Sequence, residues 1–175
     1  AGFAFVLPFL CLGISMSRLI PKGAFPPGGL SFGEPLIFRC AGALLLGYSP
    51  DRQDMIAHPI AMAAWVGLLA TSLNLLPIWQ LDGGHIAYAI LGRSRQKQLS
   101  IAGIAFLVLL SLWGWRTPSY LFFALLLLIV GWRIRFYHPR TLFEEEPLGQ
   151  GRSIVGLLAL LILVISFIPV PVSFG

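Results

Sequence analysis

The stretch NLLPIWQLDGGH, residues 74–85, decides how this chain is read. It closes an apolar run, carries a proline at Pro77, and sets one acid, Asp82, directly before Gly83, Gly84 and His85. Asp82 is the only acidic residue between Asp54 and Glu144. An ionised carboxylate near hydrocarbon costs roughly 2.5–3.5 kcal/mol on insertion scales unless it is paired, hydrated or bound to metal. Pro77 removes a backbone donor and is expected to disrupt the helix one turn before Asp82, while the glycines permit backbone geometries closed to other residues. Broken helices at membrane depth are tolerated where they line a cavity or are buried in protein. The stretch therefore describes a carboxylate presented at a helix break. A plainer reading is that Asp82 caps a helix beginning at Gly83.

The rest of the chain sets the medium. Its 175 residues are 57% hydrophobic and 11% charged, with a mean hydropathy of +0.85, far from the composition of soluble domains. The expected fold class is all-α, a polytopic transmembrane helical bundle forming one domain over residues 1–175, with spans at about 1–20, 57–76, 99–115, 118–132 and 154–170. The prolines and glycines of 21–35 read as a loop, and 35–47, short and carrying Arg39, as an interfacial or cavity-lining helix. Ala61, Ala64, Gly67, Ala70, Thr71 and Ser72 in the second span are small enough for close helix packing. Residues 99–115 and 118–132 read as a hairpin turning at Arg116 and Thr117, with Trp113, Trp115 and Tyr120 as an interfacial aromatic belt.

The net charge of +5 sits in short groups beside apolar runs, as juxtamembrane charge does, so no nucleic-acid partner is expected. Arg93, Arg95 and Lys97, with Arg133, Arg135, Arg140 and Arg152 two crossings later, outnumber Arg116 in the intervening turn. This places Asp82 toward the cytoplasmic face, although Arg18, Lys22, Arg39 and Arg52 on the other side weaken the bias. Cys11 and Cys40 form neither a disulfide framework nor a CxxC pair. The apolar start, without Met or a basic leader region, reads as that of a fragment.

Asn74, Pro77, Leu81, Asp82 and Gly83 together resemble the N-x-x-P-x-x-x-L-D-G motif of the site-2 protease family of intramembrane zinc metalloproteases. The segment from His58 to Leu73 and the later spans also look like bacterial members of that family. The resemblance implies that Asp82 is a ligand of a catalytic Zn2+ and that Asn74 is a catalytic helper, placing substrate or stabilising the oxyanion. It implies a transmembrane protein substrate and an integral, multi-pass location, in a bacterial cytoplasmic membrane. Catalytic zinc takes three protein ligands and keeps one position open for water, whose pKa it lowers to about 7. In that family the other ligands and the general base come from an H-E-x-x-H helix. No His-Glu pair occurs in this sequence, so the expected partner is an upstream H-E-x-x-H segment of the same protein, and the chain alone is expected to be inactive.

The other polar residues have plainer readings. His85 follows Asp82 by one helical turn, so a metal pair is geometrically possible, but orienting a ligand by hydrogen bonding or capping is the favoured role. Pro77, Gly83 and Gly84 shape the break, and Asn74, taken without the motif, is read sooner as a hydrogen-bond donor between helices than as catalytic. His58 is expected to hydrogen-bond at a span entrance, His138 to be solvated, Glu34 to lie on a loop surface in preference to contacting substrate or pairing with Arg39, and Glu144 to Glu146 to be solvated or locally paired. Gly28 and Gly29 form no phosphate loop. Two other functions stay open: an ion-coupled transporter or channel with an intramembrane acid, and a non-catalytic membrane scaffold.

Overall fold

A computed structural model describes residues 2–24, 30–113, 120–133 and 150–174. Along the chain run α1 (Gly2–Ser15), β1 (Arg18–Pro21), β2 (Leu30–Phe32), α2 (Leu36–Leu46), β3 (Gln53–Ile56), α3 (Pro59–Asn74), α4 (Asp82–Trp113), α5 (Leu121–Arg133), α6 (Gln150–Ser166) and β4 (Val172–Phe174). The chain divides into two units, 1–73 with 164–175, and 74–163.

Helices dominate, as expected, and the runs read at 57–76, 118–132 and 154–170 fall on α3, α5 and α6. Three features differ. First, among the described residues no helix is long and apolar enough to cross a membrane. Helices α1, α3, α5 and α6 have 13 to 17 residues, about 20–26 Å at 1.5 Å per residue against a hydrocarbon core of about 30 Å. Second, the run at 99–115 is the later part of α4, a 32-residue element that breaks at Gly92 (φ 76°, ψ 174°), and Arg93, Arg95 and Lys97 follow that break. Third, the run read as 1–20 leaves the helix at Ser15 and continues as a strand.

That strand, β1, pairs antiparallel with β3, Arg18 opposite Ile56 and Pro21 opposite Gln53. Strand β2 pairs antiparallel with β4, Leu30 opposite Phe174. Neither pairing was expected. Trp115, Arg116, Thr117, Arg135, His138, Arg140, Glu144 to Glu146, Gly28 and Gly29 lie outside the described residues.

The first unit packs around Leu10, Ile14, Phe38, Ala61, Ala64, Trp65, Leu68 and Ile168. The small residues of α3 do the work read for them where they face α1: a Cβ on Gly13 would meet the backbone of Ala61 at 2.6 Å, and one on Gly67 would meet Val6 at 2.7 Å. Ala70 is exposed instead. The Trp65 indole N–H donates to the Gly33 carbonyl at 2.6 Å, and its ring meets Phe32 edge-on at 5.3 Å. His58 caps α3: its carbonyl accepts from Met62, its Nδ1 accepts from the Ile60 N–H at 3.3 Å, and Pro59 takes the first helical position.

Glu34 is a correction to the loop-surface reading. It accepts from the Tyr48 hydroxyl at 2.7 Å and pairs with Arg39 at 3.4 Å. Helix α2 ends at Gly47 in the left-handed region, with the Gly47 and Tyr48 N–H groups returned to the Ala43 and Gly42 carbonyls, an αL-type closure that brings Tyr48 back over the helix. Burial, then the bond to Glu34 and its charge, push the Tyr48 phenol well above its usual range. A phenol whose pKa is raised on folding adds stability that is complete below the unfolded value of about 10 and is lost as pH rises past it. The unfolding midpoint is therefore expected to fall above pH about 10, and to fall less steeply in Tyr48→Phe; equal slopes in a pH series of melts would remove Tyr48 from the account.

Candidate active site at the break between α3 and α4

All the residues singled out around Asp82 lie in the second unit, at the break that joins two helices. Asn74 is the last residue of α3 and Asp82 the first of α4, so the two stand on different helices. The helix stops three residues before Pro77 rather than at it. Leu76, the residue before proline, is sterically biased away from the α region, and the intervening backbone folds into tight turns: the Ile78 N–H donates to Leu76 at 2.7 Å and the Leu81 N–H to Ile78 at 3.0 Å. Trp79 sits between them with φ 40°, a rare conformation for a residue with a side chain, and it is 3% exposed.

Helix α4 begins where the His85 N–H donates to the Leu81 carbonyl at 3.0 Å. The capping position is thus Leu81, and Asp82 stands in the first turn, where a carboxylate faces the positive end of the helix dipole. Its side chain is exposed, and among the described residues no hydrogen bond or ion pair reaches its carboxylate. The reading of Asp82 as a side-chain cap is not what the structure has. Asn74 and His85 are exposed as well, Pro77 is half-buried, and Gly83 and Gly84 are buried.

The two glycines have a steric reason. A Cβ on Gly83 would run into the Leu75 carbonyl and come within 2.6 Å of the Leu76 oxygen. One on Gly84 would run into the Trp79 carbonyl and come within 2.7 Å of the Ile78 oxygen. Neither glycine has positive φ; what they allow is the close approach of the turn to the helix it precedes.

That turn is held by residues the sequence reading did not single out. The Trp79 N–H donates to Ser100 Oγ at 2.9 Å, and Gln96 Nε2 donates to the Trp79 carbonyl at 3.3 Å and to Ser100 Oγ at 3.0 Å. Gln96 is 2% exposed and Ser100 fully buried. Ile78 lies against Gly103, and the Trp79 indole against Gly131 of α5, where neither position has room for a Cβ. The signal was present: two polar residues four apart share one helix face, at the edge of an apolar run. Tyr120 corrects another expectation, being buried at 3% rather than part of an interfacial belt.

As a metal centre the break offers the Asp82 carboxylate, with His85 one helical turn further on. The exposed Asp82 carboxylate is an oxygen ligand of the kind zinc accepts, and no protein cation competes for it among the described residues. There too, no group of three His, Cys, Asp or Glu side chains gathers, so the described residues supply part of a three-ligand site and do not complete one.

Comparison with known proteins finds one family and several similar relatives. Residues 33–113 match the model of Peptidase family M50. The chain is 32% identical over 111 residues to the Arabidopsis thaliana protein named "Probable zinc metalloprotease EGY2, chloroplastic", covering 63% of this chain and 18% of that protein. It is 30% identical over 126 residues to the protein named "Probable zinc metalloprotease EGY1, chloroplastic" of the same plant, covering 71% and 22%, and 44% identical over 64 residues to "Probable zinc metallopeptidase EGY3, chloroplastic", covering 32% and 11%. The chain thus spans about a fifth or less of the length of these relatives. No solved structure matches it.

Proposed function

We propose that this chain, whose residues 33–113 carry a Peptidase family M50 segment, is part of a zinc metalloprotease of the site-2 type that cleaves membrane-anchored proteins. The observation that carries the proposal is Asp82: an exposed carboxylate, free of protein partners among the described residues, at the head of a helix inside the matched segment. The relatives' names supply the metal, and the M50 match does not favour a transporter or a scaffold.

In this reading Asp82 is one ligand of the zinc, and the other two are the histidines of an H-E-x-x-H helix elsewhere in the full-length protein. When bound, zinc supplies an activated water and polarises the scissile carbonyl. The chain's own contribution is to hold the Asp82 oxygen in place and to offer the Asn74 amide as a donor to the substrate backbone or its developing oxyanion. Membrane embedding is favoured by outward-facing apolar side chains too numerous for a water-facing surface: Leu44, Phe122 and Trp132 are 86%, 78% and 81% exposed, and α6 presents Leu157, Leu160 and Leu161. Helices this short cross a bilayer where it thins around them or where flanking side chains snorkel. Arg93, Arg95 and Lys97, following the first segment of α4, favour a site toward the cytoplasmic face.

The test is the full-length protein in proteoliposomes with a membrane-anchored substrate. Cleavage is expected to stop when a chelator strips the metal and to return on adding Zn2+; cleavage indifferent to stripping would remove the metalloprotease reading. In the same assay Asn74→Ala is expected to slow cleavage by up to the roughly 10²-fold cost of losing an oxyanion donor, with metal content unchanged. Loss of metal in that variant would make Asn74 a structural support.

A further inference from the structure

Resting on that reading, we infer that Gln96 and Ser100 are positioning residues for the Asp82 carboxylate, acting through the backbone of the 77–81 turn. Metal ligands are ordinarily oriented by a hydrogen-bond partner on the ligand side chain itself, and losing such a partner costs 10–100-fold in metal affinity. No such partner reaches Asp82 among the described residues, so its position is set by where the main chain starts α4. That start is fixed from behind. Ser100 Oγ accepts from the Trp79 N–H at 2.9 Å and from Gln96 Nε2 at 3.0 Å. Its one hydrogen is shared between the carbonyls of Pro77 at 3.3 Å and Gln96 at 3.0 Å.

A hydroxyl has two acceptor sites and one donor, so Ser100 is fully occupied, and among the described residues its bonds outside its own helix go to the turn. From Trp79 the order passes along the chain through the Leu81-to-Ile78 and His85-to-Leu81 bonds, which bracket Asp82. Helix α4 breaks at Gly92, and this lets its later part reach back to hold the turn from which its first residue emerges. Gln96 and Ser100 are buried and do not touch the metal; they set the geometry that Asp82 offers it.

The experiment uses the full-length protein, with Zn2+ affinity measured by chelator competition, the visible spectrum of the Co2+-substituted form, and amide hydrogen exchange at Trp79. Ser100→Ala and Gln96→Met are each expected to weaken Zn2+ binding about tenfold or more, to alter the Co2+ spectrum and to speed exchange at Trp79. Ser100→Thr, which returns the hydroxyl, is expected to recover most of the affinity. Ser111→Ala is the control: it removes another buried hydroxyl of α4, which among the described residues bonds to the Leu107 carbonyl alone, at 3.0 Å, and is expected to leave all three readouts unchanged. Wild-type Zn2+ affinity in both Ser100→Ala and Gln96→Met overturns the inference, as does an equal loss in Ser111→Ala. If Ser100→Ala is not recovered folded, Gln96→Met, close to glutamine in size, decides it. Asp82→Asn separates this failure from that of the active-site reading: if it retains Zn2+ like the wild type, both are overturned, whereas if it loses Zn2+ while the Gln96 and Ser100 variants keep it, only the positioning role is.

Discussion

Asp82→Asn in the full-length protein is expected to abolish cleavage of a membrane-anchored substrate and to lower zinc retention by more than the 10–100-fold that loss of an outer hydrogen-bond partner costs, while the protein remains inserted and folded. The asymmetry follows from placement. The carboxylate is exposed and, among the described residues, has no protein partner, so removing its charge orphans no other group and leaves the packing of the turn untouched. The amide keeps the size of the side chain but removes the anionic oxygen that zinc takes as a ligand. Metal content and cleavage should fall together, while the thermal midpoint of the metal-free variant stays near that of the metal-free wild type. A fall in midpoint with metal retained would mean instead that Asp82 is a structural residue of the first turn, acting on the helix dipole.

Gly83→Ala is expected to have the opposite profile, losing stability first and metal as a consequence. Two effects compete. Alanine in a helix interior is favoured over glycine by about 1 kcal/mol, and Gly83 has no positive φ that would forbid it. The added Cβ, however, runs into the Leu75 carbonyl and the Leu76 oxygen, which are main-chain atoms of a turn pinned by Ser100 and Gln96 and cannot rotate aside as a side chain could. Overpacking of that kind costs about 1–3 kcal/mol, so the clash wins and the net result is destabilisation. Gly151→Ala is the matched control, in α6 with nothing among the described residues within 4 Å of the added atom; there propensity acts, and a small gain is expected. If both substitutions stabilise, the turn does not pack on α4 as described.

The helix break was legible in the sequence. Asp82, Gly83, Gly84 and Pro77 stood out because each residue type is costly or unusual in an apolar run, and the structure puts all four at a helix break. The sequence misled on geometry: a proline marks a break but not its first residue, and α3 stops at Asn74 because the turn needs seven residues to come back onto α4. Gln96 and Ser100 were passed over because their partners lie about 20 positions away, a distance at which a side-chain-to-backbone bond leaves no periodic trace. The strand pairs were hidden for a related reason. Arg18–Pro21 is a short apolar segment continuous with a helical run, and its partner at 53–56 is identified only by tertiary pairing, which commonly overrides local propensity. The excess of apolar surface was evident in composition; the lengths of the helices that carry it were not, since hydropathy does not register the break at Gly92.

The most direct test is the metal environment of the intact protein, measured by anomalous scattering at the zinc edge. The account predicts one zinc with an Asp82 carboxylate oxygen at about 2.0–2.2 Å and two histidine nitrogens from another segment of the polypeptide at a similar distance. A fully loaded zinc site with Asp82 beyond bonding reach would contradict it.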